Sequence, residues 1–109
     1  MSPYKYSIRT LVLAASALFF CTLPSNAQNE ASTYKSKCVA CHGADGSGTE
    51  VGKKLGVRDF HSSQVQGESQ AELEQIIAKG KNKMPGYEKS LKPDEVKALA
   101  AYVQQLSKK

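Results

Sequence analysis

Three segments of the chain carry apolar residues at the spacing of an amphipathic helix. The first, residues 30–40, has few helix breakers, and Tyr34, Cys38 and Cys41 recur three to four residues apart at its end. This pattern predicts a short helix that runs into a pair of cysteines.

The second and third helices are marked by their first turns. Ser69-Gln70-Ala71-Glu72 is a capping box, and the helix that follows it is predicted to stop at Gly80. Pro93, with Asp94 and Glu95 behind it, opens the last helix. The predicted buried stripe of that helix consists of Val96, Leu99, Ala100, Val103 and Leu106.

The segments between these helices are predicted to be loops. Residues 43–56 contain five of the eight glycines, residues 58–67 are polar and poorly periodic, and residues 81–89 surround Met84-Pro85-Gly86. No segment alternates convincingly as a strand. The predicted fold class is therefore all-α, with three main helices and long loops that need something to wrap around.

Residues 1–27 have the composition of a secretory signal peptide. Lys5 and Arg9 give a basic start, residues 11–23 carry no charge, and Ser25-Asn26-Ala27 supplies the small residues of a cleavage site. An apolar run of thirteen residues is shorter than the roughly 20 that span a bilayer. We expect cleavage after Ala27, export to the periplasm, no permanent membrane insertion, and one domain over residues 28–109.

Size and charge narrow the function further. Removal of 27 of the 109 residues leaves 82, and a domain of that size usually needs a disulfide, a metal or a cofactor. The net charge of +5 falls to +3 without Lys5 and Arg9. This modest surplus, without interleaved aromatic residues, argues against nucleic acid as a partner and favours an acidic protein partner.

The sequence Cys38-Val39-Ala40-Cys41-His42 has three interpretations. A redox dithiol normally lies at a helix start in a βαβ pattern, which this chain lacks. A zinc site would need His61 as well as His42, and the adjacent Cys41 and His42 would both have to face one metal. Cys-x-x-Cys-His is also the attachment motif of c-type haem, with two thioethers and a proximal histidine. Export and small size favour haem.

Met84 is the second candidate ligand. It is the one methionine after residue 27, and Pro85 restricts its backbone in a predicted loop. A thioether suits the sixth position of haem iron, and the competing ligand is His61, which would give bis-histidine ligation. By default, however, His61 is interpreted as an exposed or capping histidine at the turn of residues 60–62. We further expect Gly43, Gly46 and Gly48 to let the backbone turn sharply and to bring it close to the macrocycle.

At this point the chain resembles the class I c-type cytochromes over essentially all of residues 28–109. The resemblance is carried by Tyr34 four residues before CVACH, the continuation HGADGSG, the segment KGKNKMPGY and the final PDEVKALAAYVQQL. It implies a small cytochrome c fold around one haem c, with Cys38 and Cys41 as thioethers, His42 as proximal ligand and Met84 as distal ligand.

The resemblance also implies contacts around the haem. The first and last helices of the family cross, which places Tyr34 and Tyr102 near that crossing. Where the family often has Gly-Pro-x-Leu, this chain has Gly52-Lys53-Lys54-Leu55. The carbonyl of Lys53 is then expected to accept the hydrogen bond of the proximal histidine, in place of a proline carbonyl.

The implied function is that of a monomeric electron carrier between a redox-protein donor and acceptor. A six-coordinate haem leaves no open position for a substrate, so no catalytic residue is predicted. The alternative is an enzyme whose distal position opens to a gas or a peroxide. Six lysines are candidates to frame the haem edge toward an acidic partner: Lys53, Lys54, Lys79, Lys81, Lys83 and Lys89.

Overall fold

The computed structural model describes residues 17–19 and 26–109, and the part of the chain described there is helical, without strands. The all-α prediction is therefore confirmed. The predicted signal peptide lies almost entirely outside the described residues. Along the described ranges, no helix is both long enough and apolar enough to cross a membrane. The helices are α1 (Asn26–Lys37), α2 (Val39–His42), α3 (Glu50–Lys54), α4 (Ser63–Gln66), α5 (Gln70–Lys79) and α6 (Pro93–Ser107).

The first predicted helix is broken at Cys38. The backbone N–H of Cys38 still donates to the carbonyl of Tyr34 at 2.8 Å, but Cys38 has a φ of −116° and is the residue from which a new turn starts. The carbonyl of Cys38 then accepts from the N–H groups of Cys41 and His42, at 3.2 and 2.9 Å. The cysteine pair and the histidine therefore lie on a separate turn, α2, and not at the end of one continuous helix.

The predictions for α5 and α6 are confirmed. The Ser69 hydroxyl accepts from the N–H of Glu72 at 3.1 Å, and the Glu72 carboxylate accepts from the N–H of Ser69 at 2.6 Å. The helix ends at Gly80, which has a φ of 82°. Helix α6 begins at Pro93, as its first turn predicted.

Helix α6 is the centre of the packing, because α5, α1 and α4 all contact it. Its predicted stripe is buried throughout, with Ala100 at 0 % exposure and Leu99 at 3 %. These side chains meet Tyr34 of α1, Leu73 and Ile77 of α5 in one hydrophobic cluster. The core that results is continuous but small.

Two short helices were missed within the predicted loops. In α3 the Thr49 hydroxyl accepts from the N–H of Gly52 at 3.0 Å, and a Cβ at Gly52 would overlap the backbone carbonyl of Cys41. In α4 the hydroxyl of Ser62 caps the first turn, and Val65 is buried. Such short helices depend on tertiary contacts more than on local sequence preference.

Tyr34 connects the helix packing to the turn that follows His42. Its ring is 2 % exposed and lies 5.2 Å from the ring of Tyr102, which confirms the expected contact at the helix crossing. Its hydroxyl donates to the carbonyl of Gly43 at 2.7 Å, and burial raises the pKa of this phenol. The N–H of Gly48 donates to the carbonyl of His42 at 2.7 Å, so the turn is held from two sides.

We predict that Tyr34→Phe lowers the free energy of unfolding by about 1–3 kcal/mol, because the buried carbonyl of Gly43 loses its shorter hydrogen bond and keeps only that from the N–H of Gly46, at 3.3 Å. Denaturant titration of the holoprotein measures the change. Tyr102→Phe is the matched control, since the Tyr102 hydroxyl forms no hydrogen bond with the described residues. We expect less than about 0.5 kcal/mol for the control. Equal losses in the two variants would contradict a specific role for the Tyr34 hydroxyl.

Candidate cofactor site

The predicted ligand residues surround one cavity of about 280 Å³. Cys38, Cys41 and His42 line it from α2 and the residue before it, and Met84 lines it from the loop after α5. Apolar side chains of the core complete much of the lining, among them Leu73, Ile77, Leu99 and Val103. Two thiols that could attach a haem and two side chains that could ligate its iron are thus brought together, although residues 38–42 and Met84 are far apart in sequence.

The surroundings of His42 favour the neutral form of its imidazole. Burial lowers the pKa of its ring, and the nearby positive charge of Arg58 lowers it further. The ring of Phe60 lies 4.9 Å from the imidazole, at an angle of 32°. Nδ1 is buried and makes no hydrogen bond with the described residues. A neutral imidazole retains a lone pair for a metal ion.

The expected hydrogen bond from His42 to the carbonyl of Lys53 is wrong. Lys53 lies inside α3, and its carbonyl accepts from the N–H of Gly56 at 3.1 Å. A proline in that place could not have been an interior residue of a helix without disrupting it. The N–H of Lys53 donates to the carbonyl of Thr49 at 2.8 Å, a hydrogen bond that a proline would lack, and Nδ1 of His42 has no hydrogen-bond partner among the described residues.

The expectation for the glycines after His42 is also wrong. Gly43, Gly46 and Gly48 do have positive φ angles of 77°, 80° and 95°, but none of them lines the cavity. A Cβ at Gly46 would overlap the ring of Phe60, and one at Gly48 would lie 3.1 Å from Val57. These glycines therefore allow the loop to pack against its own protein neighbours. Phe60 is thereby held against His42.

The cysteines do not have the character of a redox dithiol. Both are half-buried and unpaired, and burial raises the pKa of the Cys38 thiol to about 11. Redox dithiols rely on a lowered thiol pKa, which the surroundings of Cys38 do not provide. Within the described ranges, no three residues among His, Cys, Asp and Glu are grouped for a metal ion, so the zinc interpretation has no support either.

His61 lies outside the cavity. Its Nδ1 is 2.8 Å from the carboxylate of Asp59, and its backbone N–H donates to the same carboxylate at 2.9 Å. The alternative to iron ligation was that His61 lies exposed in a turn, and this prediction is confirmed. Met84, by contrast, is partly buried against the core and lines the cavity.

Two features of the cavity wall were missed from sequence. Phe60 packs on His42, and Arg58 forms an ion pair with Glu68 through both of its terminal nitrogens, at 2.8 and 3.3 Å. Phe60 and Arg58 are the only phenylalanine and the only arginine after residue 27. Their rarity, within a segment that is otherwise polar, is the one sequence signal that could have marked them as parts of the cavity wall.

The side chains present fit a haem c. Two thiols lie three residues apart on one turn of the cavity wall, and beside them lies an imidazole whose Nδ1 is buried and has no partner among the described residues. A thioether lines the same cavity, whose remaining wall is largely apolar. Thiols, imidazole and thioether are the groups that attach and ligate haem in c-type cytochromes.

Comparison with known proteins gives the same assignment. The family described as cytochrome c oxidase, cbb3-type, subunit III matches residues 25–103. The KustC0563 c-type cytochrome is 33% identical, with 71% of this chain and 95% of that chain covered and a TM-score of 0.67. A mutant of the same protein, with phenylalanine in place of one tyrosine, is 32% identical, with 71% and 96% covered and a TM-score of 0.66. The chain therefore belongs to the small c-type cytochromes, proteins that carry covalently bound haem c and transfer electrons with redox-protein partners.

Proposed function

We propose that this protein is a periplasmic carrier of single electrons, with one haem c attached through Cys38 and Cys41 and ligated by His42 and Met84. The observation that carries the proposal is the convergence of these four side chains on one largely apolar cavity. When bound, the haem supplies the one-electron iron couple, and Met/His ligation raises its potential.

Each protein group has a separate task in this proposal. Cys38 and Cys41 tether the macrocycle by one edge, because residues three apart on a helical turn lie on the same side. Phe60 and the turn held by Tyr34 fix the orientation of His42. The apolar lining excludes water, which limits reorganisation around a change of charge. With both axial positions filled, the protein acts as a carrier and not as an enzyme.

The periplasmic location is supported by residues 1–27, with their basic start, uncharged run and small residues before the cleavage site. We expect the mature protein to begin at Gln28 and to act as a monomer. The description of the matched family names an oxidase subunit, which supports a larger redox complex as one class of partner.

The cavity rim is positively charged. Lys37, Lys81 and Lys83 line the cavity with exposed side chains and form no ion pair with the described residues. The only carboxylate among the lining residues is that of Glu68, which is paired with Arg58. Lys79, one of the six candidate docking lysines, is instead paired with Glu88 at 2.7 Å. An acidic partner face would complement this rim.

We predict that Cys38→Ser combined with Cys41→Ser releases the haem and removes most of the helical circular dichroism. Cofactor binding is linked to folding, and the core residues themselves line the cavity. Mass spectrometry of the denatured protein detects the covalent haem. Each single variant, Cys38→Ser or Cys41→Ser, is the comparison and should keep at most one thioether. A double variant that stays folded and colourless would show that the haem is not part of the core.

For the sixth ligand, we predict that Met84→Ala abolishes the weak long-wavelength sulfur-to-iron band and lowers the potential. His61→Ala should leave both unchanged, because His61 lies outside the cavity and is bonded to Asp59. Absorption spectra of the oxidised protein and a redox titration measure these changes. If His61→Ala changed the spectrum and the potential while Met84→Ala changed neither, His42 and His61 would be the two ligands.

For docking, we predict that Lys81→Gln with Lys83→Gln slows oxidation of the reduced protein by ferricyanide several-fold at low salt. The variant should also flatten the dependence of the rate on ionic strength, because rim charges steer encounter. Stopped-flow absorption measures the rates. Lys97→Gln with Lys108→Gln removes the same charge away from the cavity and is the control. Equal salt slopes for the two double variants would contradict docking at this rim.

A further inference from the structure

The segment 80–86, called here the Met84 loop, is closed at its tip by two backbone hydrogen bonds. The N–H of Lys81 donates to the carbonyl of Met84 at 3.1 Å, and the N–H of Met84 donates to the carbonyl of Lys81 at 2.9 Å. Between them, Asn82 has a φ of 53°, and it is the only residue other than glycine with a positive φ in the described part of the chain. Asparagine tolerates this left-handed conformation better than most residues.

The base of the Met84 loop is closed by two glycines packed backbone to backbone. A Cβ at Gly80 would lie 2.5 Å from the carbonyl oxygen of Met84 and 2.8 Å from the nitrogen of Gly86. A Cβ at Gly86 would lie 2.6 Å from the carbonyl oxygen of Ala78. No side chain therefore fits between the two ends of the loop and the end of α5.

The chain on both sides of the Met84 loop is bonded to the last turn of α5. The carbonyls at the end of a helix have no partners within the helix. Here the carbonyl of Ile76 accepts from Gly80, that of Ile77 from Tyr87, and that of Ala78 from Glu88, at 2.8, 2.9 and 3.1 Å. The Tyr87 hydroxyl also donates to the carbonyl of Lys37, at 3.3 Å. The loop is thus fixed to two helices by groups other than Met84.

From these contacts we propose that Gly80, Asn82 and Gly86 are positioning residues, which hold the Met84 thioether in the cavity independently of any bond to iron. The inference rests on the proposed function, in which Met84 is an axial ligand. Ordering a loop costs conformational entropy, and a loop already ordered does not incur that cost when its ligand atom binds. Strain introduced at any of these three positions makes it easier for the Met84 thioether to leave its position in the cavity, although none of the three residues is a ligand of the iron.

The test is a titration of the oxidised holoprotein with imidazole, an added ligand that competes with the thioether. We expect Asn82→Ala to bind imidazole about 3- to 10-fold more tightly than the wild type, because alanine is strained at this φ. Asn82→Gly is the matched control, since glycine adopts the conformation without strain. We expect its imidazole affinity to stay within about twofold of the wild type, since no strain is added.

Gly86→Ala supplies a second, stronger perturbation, and Met84→Ala defines complete loss of the thioether. We expect Gly86→Ala to bind imidazole at least about tenfold more tightly, because its Cβ would push the loop away from α5. If Met84→Ala frees the iron while Asn82→Ala and Asn82→Gly both match the wild type, the positioning role is overturned and the ligation stands. If Met84→Ala leaves the spectrum and imidazole affinity unchanged, the ligation itself fails and the positioning role fails with it.

Discussion

A domain this small uses the same side chains for its core and for its cofactor site. Leu73, Ile77 and Leu99 belong to the buried cluster and also line the cavity, so most of the apolar interior is at the same time the wall of the site. In a larger protein, a cavity is added to a core that is already complete. Here the helices meet around the cavity, and the group that fills the cavity completes the packing of their apolar side chains. The proposed cysteine tethers, the proposed axial ligands and the short helices all serve this arrangement.

The features that could be predicted from the sequence are those determined by residues close together along the chain. Helices α5 and α6 begin with a capping box and a proline, and their apolar periods are long enough to fix the buried face. The cysteine pair with its histidine predicted the site because such a motif has few interpretations. The contact between Tyr34 and Tyr102 came from the family resemblance, since no local pattern relates residues so far apart.

The features that sequence missed depend on contacts formed only in the fold. Helix α3 exists because Gly52 lies against the carbonyl of Cys41, and its presence makes the carbonyl of Lys53 part of a helix. The glycines after His42 were correctly predicted to turn sharply, but their neighbours are Phe60 and Val57. Which surface a glycine approaches is decided by tertiary packing, and a single sequence does not contain that information.

The last turn of α5 both ends the helix and anchors the segments on either side of Met84, and this affects the dynamics of the site. Its free carbonyls are satisfied by the residues that flank Met84, so the helix end and the methionine share one set of hydrogen bonds. Fraying of a helix terminus is ordinarily a local event without effect on function. In this protein it would withdraw Met84 from the cavity as well. If Met84 is the sixth ligand, as proposed, opening of the iron to outside molecules is a local unfolding reaction, and the population of the open state is set by the stability of one helical turn.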